Sequence, residues 1–509
     1  MNQSENRKQT TVVKNKKLGL WRTTAVAIAG AVVAMSLSVV PASAATVNPG
    51  TVDGSQVGSI TVHKFQRPNT PTGLPANGTQ VSTTGLTPLA GIGFTIQQVN
   101  TIDLTTNAGW QSANTLSNTF DPANAAGSIT SKGYTLGTAT VKTTDSTGTA
   151  AFTALPLGLY LVQETTFPAG VTPSAPFLVS VPLTDPNNEN GWLYNVHVYP
   201  KNSITTATKT VQDASAVKLG DAVNWTITGG IPTDAVIDGY KIADKLDAKL
   251  TYVGATVTLA DGTAITAGTD YNVVFDAPSN TVSVVFTASG RAILAAHNTT
   301  TVKVAVNTKV NTIGEIANTA LVYPNNASIV GTPGNPGPVV TPPVVTKWGN
   351  ITVQKVDQNG APLAGASFSV YANQADAKAG TNPITLGGQT VFTVGANGQL
   401  TITGLRYSDF ANGATVAPGD AGYITYYLAE TTAPSGYELL AAPVSFLVNA
   451  ATTAVGVDLQ VKNVPSNSGF QLPFTGGPGT TVLYGAGVLI LAGAVLLFAR
   501  SRRSSRSNG

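Results

Sequence analysis

Four short blocks occur twice along this chain, in the same order, and each alternates side chains in the manner of a strand. Ile60-Thr61-Val62-His63-Lys64 returns as Ile351-Thr352-Val353-Gln354-Lys355, and Pro88-Leu89-Ala90-Gly91 as Pro362-Leu363-Ala364-Gly365. Tyr160-Leu161-Val162-Gln163-Glu164-Thr165 returns as Tyr427-Leu428-Ala429-Glu430-Thr431, and Ala175-Pro176-Phe177-Leu178-Val179 is echoed from Ala442 to Val448. Ordered repetition of this kind indicates a duplicated domain. Its alternating apolar positions indicate strands with one face turned to a core.

Between the copies, residues 203–330 alternate in the same way without the repeated blocks, which reads as a third all-β domain. The stretch 331–347 is dense in proline and reads as a stiff extended linker. Only 10% of residues are charged and cysteine is absent, so neither ion-pair networks nor disulfides dominate this chain. The net charge of +3 sits at the ends: setting aside ten basic and one acidic side chain there leaves 18 basic against 24 acidic groups. An acidic body without a basic cluster argues against a nucleic-acid partner.

The two ends have recognisable grammar. Residues 1–44 carry a basic region, an apolar stretch and a small-residue exit at Ala42-Ser43-Ala44, the pattern of a cleaved signal peptide. Near the other end come Leu472-Pro473-Phe474-Thr475-Gly476, an apolar run from Val482 to Ala499, and Arg500-Ser501-Arg502-Arg503. The run is close to a bilayer span, and the basic tail would stay cytoplasmic. Together, residues 466–509 resemble a sortase sorting signal with its transient membrane insertion. Both methionines, Met1 and Met35, lie in the leader, so an exported body would hold no readily oxidised sulfur.

Parity along the strands turns up a costly pattern. Ile351, Val353 and Lys355 share a face, as do Tyr426, Leu428 and Glu430, and Val457, Leu459, Val461 and Asn463. A lysine, a glutamate and an asparagine thus each close a core-facing row. Burial favours the neutral amine and the protonated acid. An amine in that state beside an amide carbonyl, with an acid to polarise it, is set up for nucleophilic attack and loss of ammonia. A satisfied buried polar trio, or strand ends that reach solvent, are the plainer readings of the same rows.

Tyr426-Tyr427-Leu428-Ala429-Glu430-Thr431-Thr432-Ala433-Pro434-Ser435-Gly436-Tyr437 resembles the YxLxETxAPxGY block of Gram-positive pilins built from collagen-adhesin B-type domains. The resemblance implies a Lys355–Asn463 isopeptide bond promoted by Glu430. The middle domain is similar to the related A-type module, in which an aspartate takes the acid role. That implies Lys209, Asn318 and Asp244 as its set. In the first domain the corresponding residues are Lys64, Glu164 and Asn202, although its block departs from the pattern at Phe167-Pro168-Ala169-Gly170-Val171.

Trp192-Leu193-Tyr194-Asn195-Val196-His197-Val198-Tyr199-Pro200-Lys201 resembles the pilin motif WxxxVxVYPK at every fixed position. Parity turns Trp192, Tyr194, Val196 and Val198 inward and Asn195, His197 and Lys201 outward. The motif implies that a sortase cleaves after Thr475 and passes its carbonyl to Lys201 of an identical subunit, head to tail. Transfer to a peptidoglycan amine by a housekeeping sortase would anchor the base, and a tip or accessory pilin would complete the fibre. The three histidines (His63, His197, His297) lack metal-ligand spacing, and Asp185 to Asn190 reads as a polar turn before a cation loop. No cofactor is called for.

The expectation is an all-β chain of three tandem immunoglobulin-like β-sandwiches: a B-like pilin domain at 45–202, an A-type sandwich at 203–330, and a B-type sandwich at 348–465. The function this implies is a structural pilus shaft subunit, a sortase substrate rather than an enzyme. The rivals are a singly displayed wall-anchored adhesin and an accessory pilin.

Overall fold

The computed structural model describes residues 51–68, 72–331, 337–454 and 456–466. The signal peptide, the sorting motif Leu472–Gly476 and the C-terminal apolar run lie outside the described residues. Strands dominate, at 43% against 11% helix, which is the all-β class the alternation predicts. Among the described residues no helix is long and apolar enough to cross a membrane.

In the first domain, strand Gly58–His63 lies between Asn195–Val198, its parallel neighbour, and Thr149–Leu155, its antiparallel one. Thr140–Thr143, Gly93–Val99, Gly158–Thr166 and Phe177–Val181 form the four-stranded sheet. Ile60, Val62, Phe94, Tyr160, Val162 and Val198 fill the core. Alternation predicts a solvated outer face for the four-stranded sheet, but here both faces are covered. Leu159, Leu161 and Leu178 pack under two helices, Asn107–Thr119 and Ala125–Thr130, through Ala113, Leu116 and Ile129. Thr106 caps the first helix by accepting from the Gly109 N–H at 3.1 Å, as N-cap threonines do. The sequence reading contained no helix here.

The middle domain has a four-stranded antiparallel sheet in the order Ala207–Gln212, Ala222–Gly230, Thr301–Val310, Leu250–Leu259. A five-stranded one runs Tyr271–Asp276, Thr281–Phe286, Lys241–Lys245, Ala320–Tyr323, Val339–Val340. Trp225, Ile227, Tyr240, Ile242, Val304 and Val322 are buried there.

In the third domain, strand Val344–Val356 pairs antiparallel with Gln399–Arg406 and parallel with Leu459–Lys462. The second sheet runs Phe392–Thr393, Ser367–Tyr371, Tyr426–Thr432, Val444–Phe446. Phe368, Val370, Tyr426 and Leu428 pack from it against Ile351, Val353 and Val461. The duplication is thus visible in the topology: in the first and third domains alike, the opening strand lies beside a closing strand that runs parallel to it.

Candidate functional site: three buried lysine trios and a lysine beside a cavity

The repeated blocks explain how each lysine is held. Lys64 N donates to the Gly148 carbonyl at 2.7 Å and its own carbonyl accepts from Leu89 N at 3.0 Å. Lys355 does the same with Gly398 at 2.7 Å and Leu363 at 2.9 Å. The Pro-Leu-Ala-Gly block is therefore a backbone clamp on the lysine. The glycine opposite is needed twice over. Gly398 has φ +75°, and a Cβ there would come 3.0 Å from the Lys355 carbonyl oxygen; at Gly148, φ +76°, the corresponding approach is 2.3 Å.

In the third domain, Lys355 Nζ lies 3.0 Å from Glu430 Oε1 and donates to Asn463 Oδ1. Asn463 Nδ2 donates to both glutamate oxygens at 3.0 Å and to the Glu438 carbonyl at 2.9 Å. Lys355 is fully buried and Asn463 nearly so. The Lys355↔Val461 register places Asn463, two residues on, above the lysine's face of the sheet. Burial lowers the lysine's pKa, against the opposing pull of Glu430.

The first domain repeats the arrangement. Lys64 Nζ donates to Asn202 Oδ1 at 2.5 Å and is ion-paired with Glu164, whose other oxygen accepts from Asn202 Nδ2 at 2.7 Å. Burial brings Lys64 down to about 8, offset in part by Glu164. Asn202 follows Lys201 on strand Lys201–Ile204, which pairs parallel with Phe65–Gln66. A residue that sequence reasoning missed joins the group: Ser174 Oγ donates to Glu164 Oε1 at 2.5 Å. Only its place shortly after the glutamate block could have flagged it.

The middle domain differs. Lys209 Nζ lies 2.6 Å from Asp244 Oδ2, and Asn318 Nδ2 donates to that same oxygen at 3.4 Å. Asp244 Oδ1 and Asn318 Oδ1, both buried, have no hydrogen-bond partner. Burial brings Lys209 down to about 8 and raises Asp244. The small, Thr-rich neighbours of Lys209 along the chain suggest a thin environment. Space supplies what the chain does not, for the Trp225 ring centroid lies 5.4 Å from its Nζ.

All three trios have one chemical form. A desolvated amine, an amide and a carboxyl lie together without solvent, and the carboxyl touches both nitrogens. That carboxyl can take a proton from the attacking amine and give one to the departing amide nitrogen.

Lys201 sits elsewhere, on a cavity of about 340 Å³ lined by Leu74, Pro75, Phe177, His197 and Tyr199 among others. Parity places it outside; the structure leaves it half-buried, its Nζ donating to the Tyr199 carbonyl at 3.3 Å. Burial, with a smaller contribution from the Arg67 charge, lowers its pKa. Tyr199 is pinned by its hydroxyl, which accepts from Val81 N at 2.8 Å. His63 Nε2 and His197 Nδ1 meet at 2.9 Å across the parallel strand pair, a contact that their spacing along the chain does not suggest. The inward parity of the motif holds for Val196 and Val198, each 1% exposed, but not for its start. The strand Asn188–Leu193 ends before Tyr194, and Trp192 stacks on Trp110 of the helical insert at 5.3 Å. Leu193 instead packs against the core. At residues 185–190, Asp185 Oδ1 accepts from Asn187 N at 2.9 Å, as a turn requires. Among the described residues no group of three His, Asp or Glu could hold a metal ion.

A β-sandwich protein with lysines buried against asparagine and acid, and a further lysine at a strand end beside a cavity, has the anatomy of a surface-fibre subunit. Residues 55–203 match the N-terminal D1 domain of Gram-positive pilin subunits, and residues 349–463 match a prealbumin-like fold domain. The fimbrial subunit type 1 of Actinomyces viscosus is 33% identical, over 96% of this chain and 98% of that protein. The major pilin SpaD of Corynebacterium diphtheriae superposes with a TM-score of 0.65 at 28% identity, covering 82% of this chain and all of that one. Its SpaA counterpart gives 0.58 at 29% identity, covering 80% of this chain and all of that one. The chain belongs to the fimbrial subunits of Gram-positive bacteria, and its function is that of a structural subunit of the pilus shaft.

Proposed function

We propose that the shaft is covalent, with the Thr475 carbonyl of one subunit joined to Lys201 Nζ of the next by a pilus-specific sortase. The observation that carries this is the setting of Lys201: a half-buried amine of lowered pKa opening onto a cavity, at the end of a strand fixed by Tyr199. A sortase thioester formed at Thr475 would release Gly476 and the C-terminal run, and the Lys201 lone pair would displace the enzyme's sulfur. A housekeeping sortase would pass the last subunit to peptidoglycan.

Each trio is read as a self-formed crosslink, in keeping with SpaA, whose structure points to stabilising isopeptide bonds. In the third domain Lys355 Nζ attacks Asn463 Cγ and the carbonyl pair moves onto Oδ1. A proton leaves Nζ for Glu430, another passes from Glu430 to Nδ2, and the Cγ–Nδ2 bond breaks. The balance is amine plus primary amide to secondary amide plus ammonia. Glu164 and Asp244 take the same part for Lys64–Asn202 and Lys209–Asn318. The domains so closed are 45–202, 203–330 and 348–465.

The test is a denaturing gel of wall extract, probed for this protein, from the native cell beside a Lys201→Ala strain. A high-mass ladder that collapses to monomer in the variant is expected. One monomer band in both strains would return the protein to a singly displayed adhesin.

A further inference from the structure

The first and third domains differ in what reaches the glutamate oxygen nearest the lysine, which in the third domain accepts from Asn463 Nδ2 and in the first does not. Ten residues beyond each, a backbone N–H donates to the carboxyl: Ser174 N to Glu164 at 3.4 Å, Leu440 N to Glu430 at 2.9 Å. In the third domain that N–H reaches Oε2, leaving Oε1, the oxygen nearest Lys355, clear of it. In the first domain it reaches Oε1, the oxygen paired with Lys64. Ser174 Oγ donates to that same oxygen at 2.5 Å and lies 3.4 Å from Lys64 Nζ. Leucine, at the matching position, has no polar atom to offer.

Condensation with Asn202 needs a neutral amine, so a proton must move from Lys64 Nζ onto Glu164. An oxygen that already accepts from a hydroxyl has less affinity for that proton, because donors favour the charged carboxylate. We propose that the Ser174 hydroxyl is a positioning residue that occupies the Glu164 oxygen on which the Lys64 proton must land, and thereby slows formation of the Lys64–Asn202 bond. This rests on reading the trio as a crosslinking site. The reaction itself is unchanged: amine and primary amide give secondary amide and ammonia, and Ser174 stays bound throughout.

The effect has a direction in pH. The reactive pair carries one proton between amine and acid. Removing the hydroxyl frees the oxygen that receives the proton, so more of that pair exists as neutral amine and neutral acid, and the plateau rate rises. The doubly protonated pair also persists to higher pH, so the acid limb of the profile moves up. The other charges reaching Lys64 are Arg67 and Lys201, and the facing Phe94 ring is uncharged. None of these changes with Ser174.

The full chain, recovered unfolded, would be refolded across roughly pH 5 to 9 and digested. Mass spectrometry then follows the branched peptide joining Lys64 to Asn202 over time. Ser174→Ala and Ser174→Leu should each raise its rate about tenfold, the factor one hydrogen bond to a charged group supplies. Both should shift the acid limb upward, while Ser174→Thr keeps the wild-type rate and limb. The branched Lys355–Asn463 peptide in the same digests reports that the chain refolded. A Ser174→Ala rate at or below wild type overturns the proposal. Absence of the first-domain peptide in every variant, wild type included, beside a normal third-domain peptide, removes the crosslink itself and the proposal with it.

Discussion

At the scale of single residues the chemistry depends on where burial puts protons. An exposed lysine at neutral pH is almost wholly an ammonium ion, and no ammonium attacks an amide or a thioester. Desolvation lowers Lys64, Lys209, Lys355 and, less enclosed, Lys201. The neutral fraction of each, at a pH below its folded pKa, is therefore larger than that of a surface lysine. For Lys201 this gives a direct expectation. An amine-acylating reagent applied near neutral pH should modify Lys201 ahead of exposed lysines such as Lys142, and the preference should shrink as pH approaches the ordinary lysine value of about 10.4. Peptide mapping across a pH series reads this out; equal labelling of the two at every pH would mean that the cavity does not activate the amine. For the trios, Glu430→Ala should leave Lys355 and Asn463 unjoined, so that intact mass rises by one ammonia beyond the substitution itself. The joined form closes a loop spanning 108 positions. By analogy with disulfides that is worth on the order of 4–5 kcal/mol. A lower midpoint of thermal unfolding should accompany the mass change, and an unchanged mass would remove Glu430 from the role given to it.

At the scale of elements, the first and third trios exist because a parallel pair of strands brings the start and end of a domain side by side. The lysine is then fixed by the turn and clamp on either side. Gly398→Ala should disturb both. It forces a side chain into a left-handed conformation costing about 1–2 kcal/mol, and it presses on the Lys355 carbonyl at 3.0 Å. Peptide mapping should show a reduced yield of the Lys355–Asn463 branch, with the other crosslinks unaffected. A full yield would mean that the clamp is dispensable. These elements also show what a sequence can reveal. Lys355, Glu430 and Asn463 stand out because charged and amide groups end otherwise apolar rows, which strand parity exposes. The helical insert at 107–130 gives no such signal, since its buried apolar face is Ala113, Leu116, Ala125 and Ile129, with Trp110 and Phe120 at its edge, amid polar residues. Parity carried through Tyr194 turns Trp192 toward the core, but the strand breaks at Tyr194. Ser174 lies in a loop, where parity has nothing to say. The asymmetric use of Asp244 Oδ2 by both its partners is set by side-chain orientation within a strand row, which no one-dimensional pattern encodes.

For the whole molecule, the two ends of the proposed intersubunit bond define which covalent atoms bear load. Force would enter at Lys201 and leave at Thr475, so the first domain, lying before Lys201 in the chain, is outside the direct path. From Lys201 the backbone runs a few residues to Lys209, crosses a side-chain bond to Asn318, continues to Lys355, crosses to Asn463 and ends at Thr475. With both crosslinks formed, the loops between the joined residues carry no tension and cannot be drawn out, so the folded chain can lengthen only through the segment between Asn318 and Lys355 and the short flanks. Pulling a single subunit between Lys201 and the sorting threonine should therefore show no step as long as either loop in the intact chain. Glu430→Ala should add one step, releasing the 108 positions from Lys355 to Asn463, a contour of roughly 350–390 Å less the folded separation of its ends. Asp244→Ala should add a step of similar size from the middle domain. Glu164→Ala should add none, although its mass still rises by an ammonia, because the Lys64–Asn202 loop lies off the path. An unfolding step in the Glu164 variant would show that load reaches the first domain, and that the acceptor amine is not where force enters.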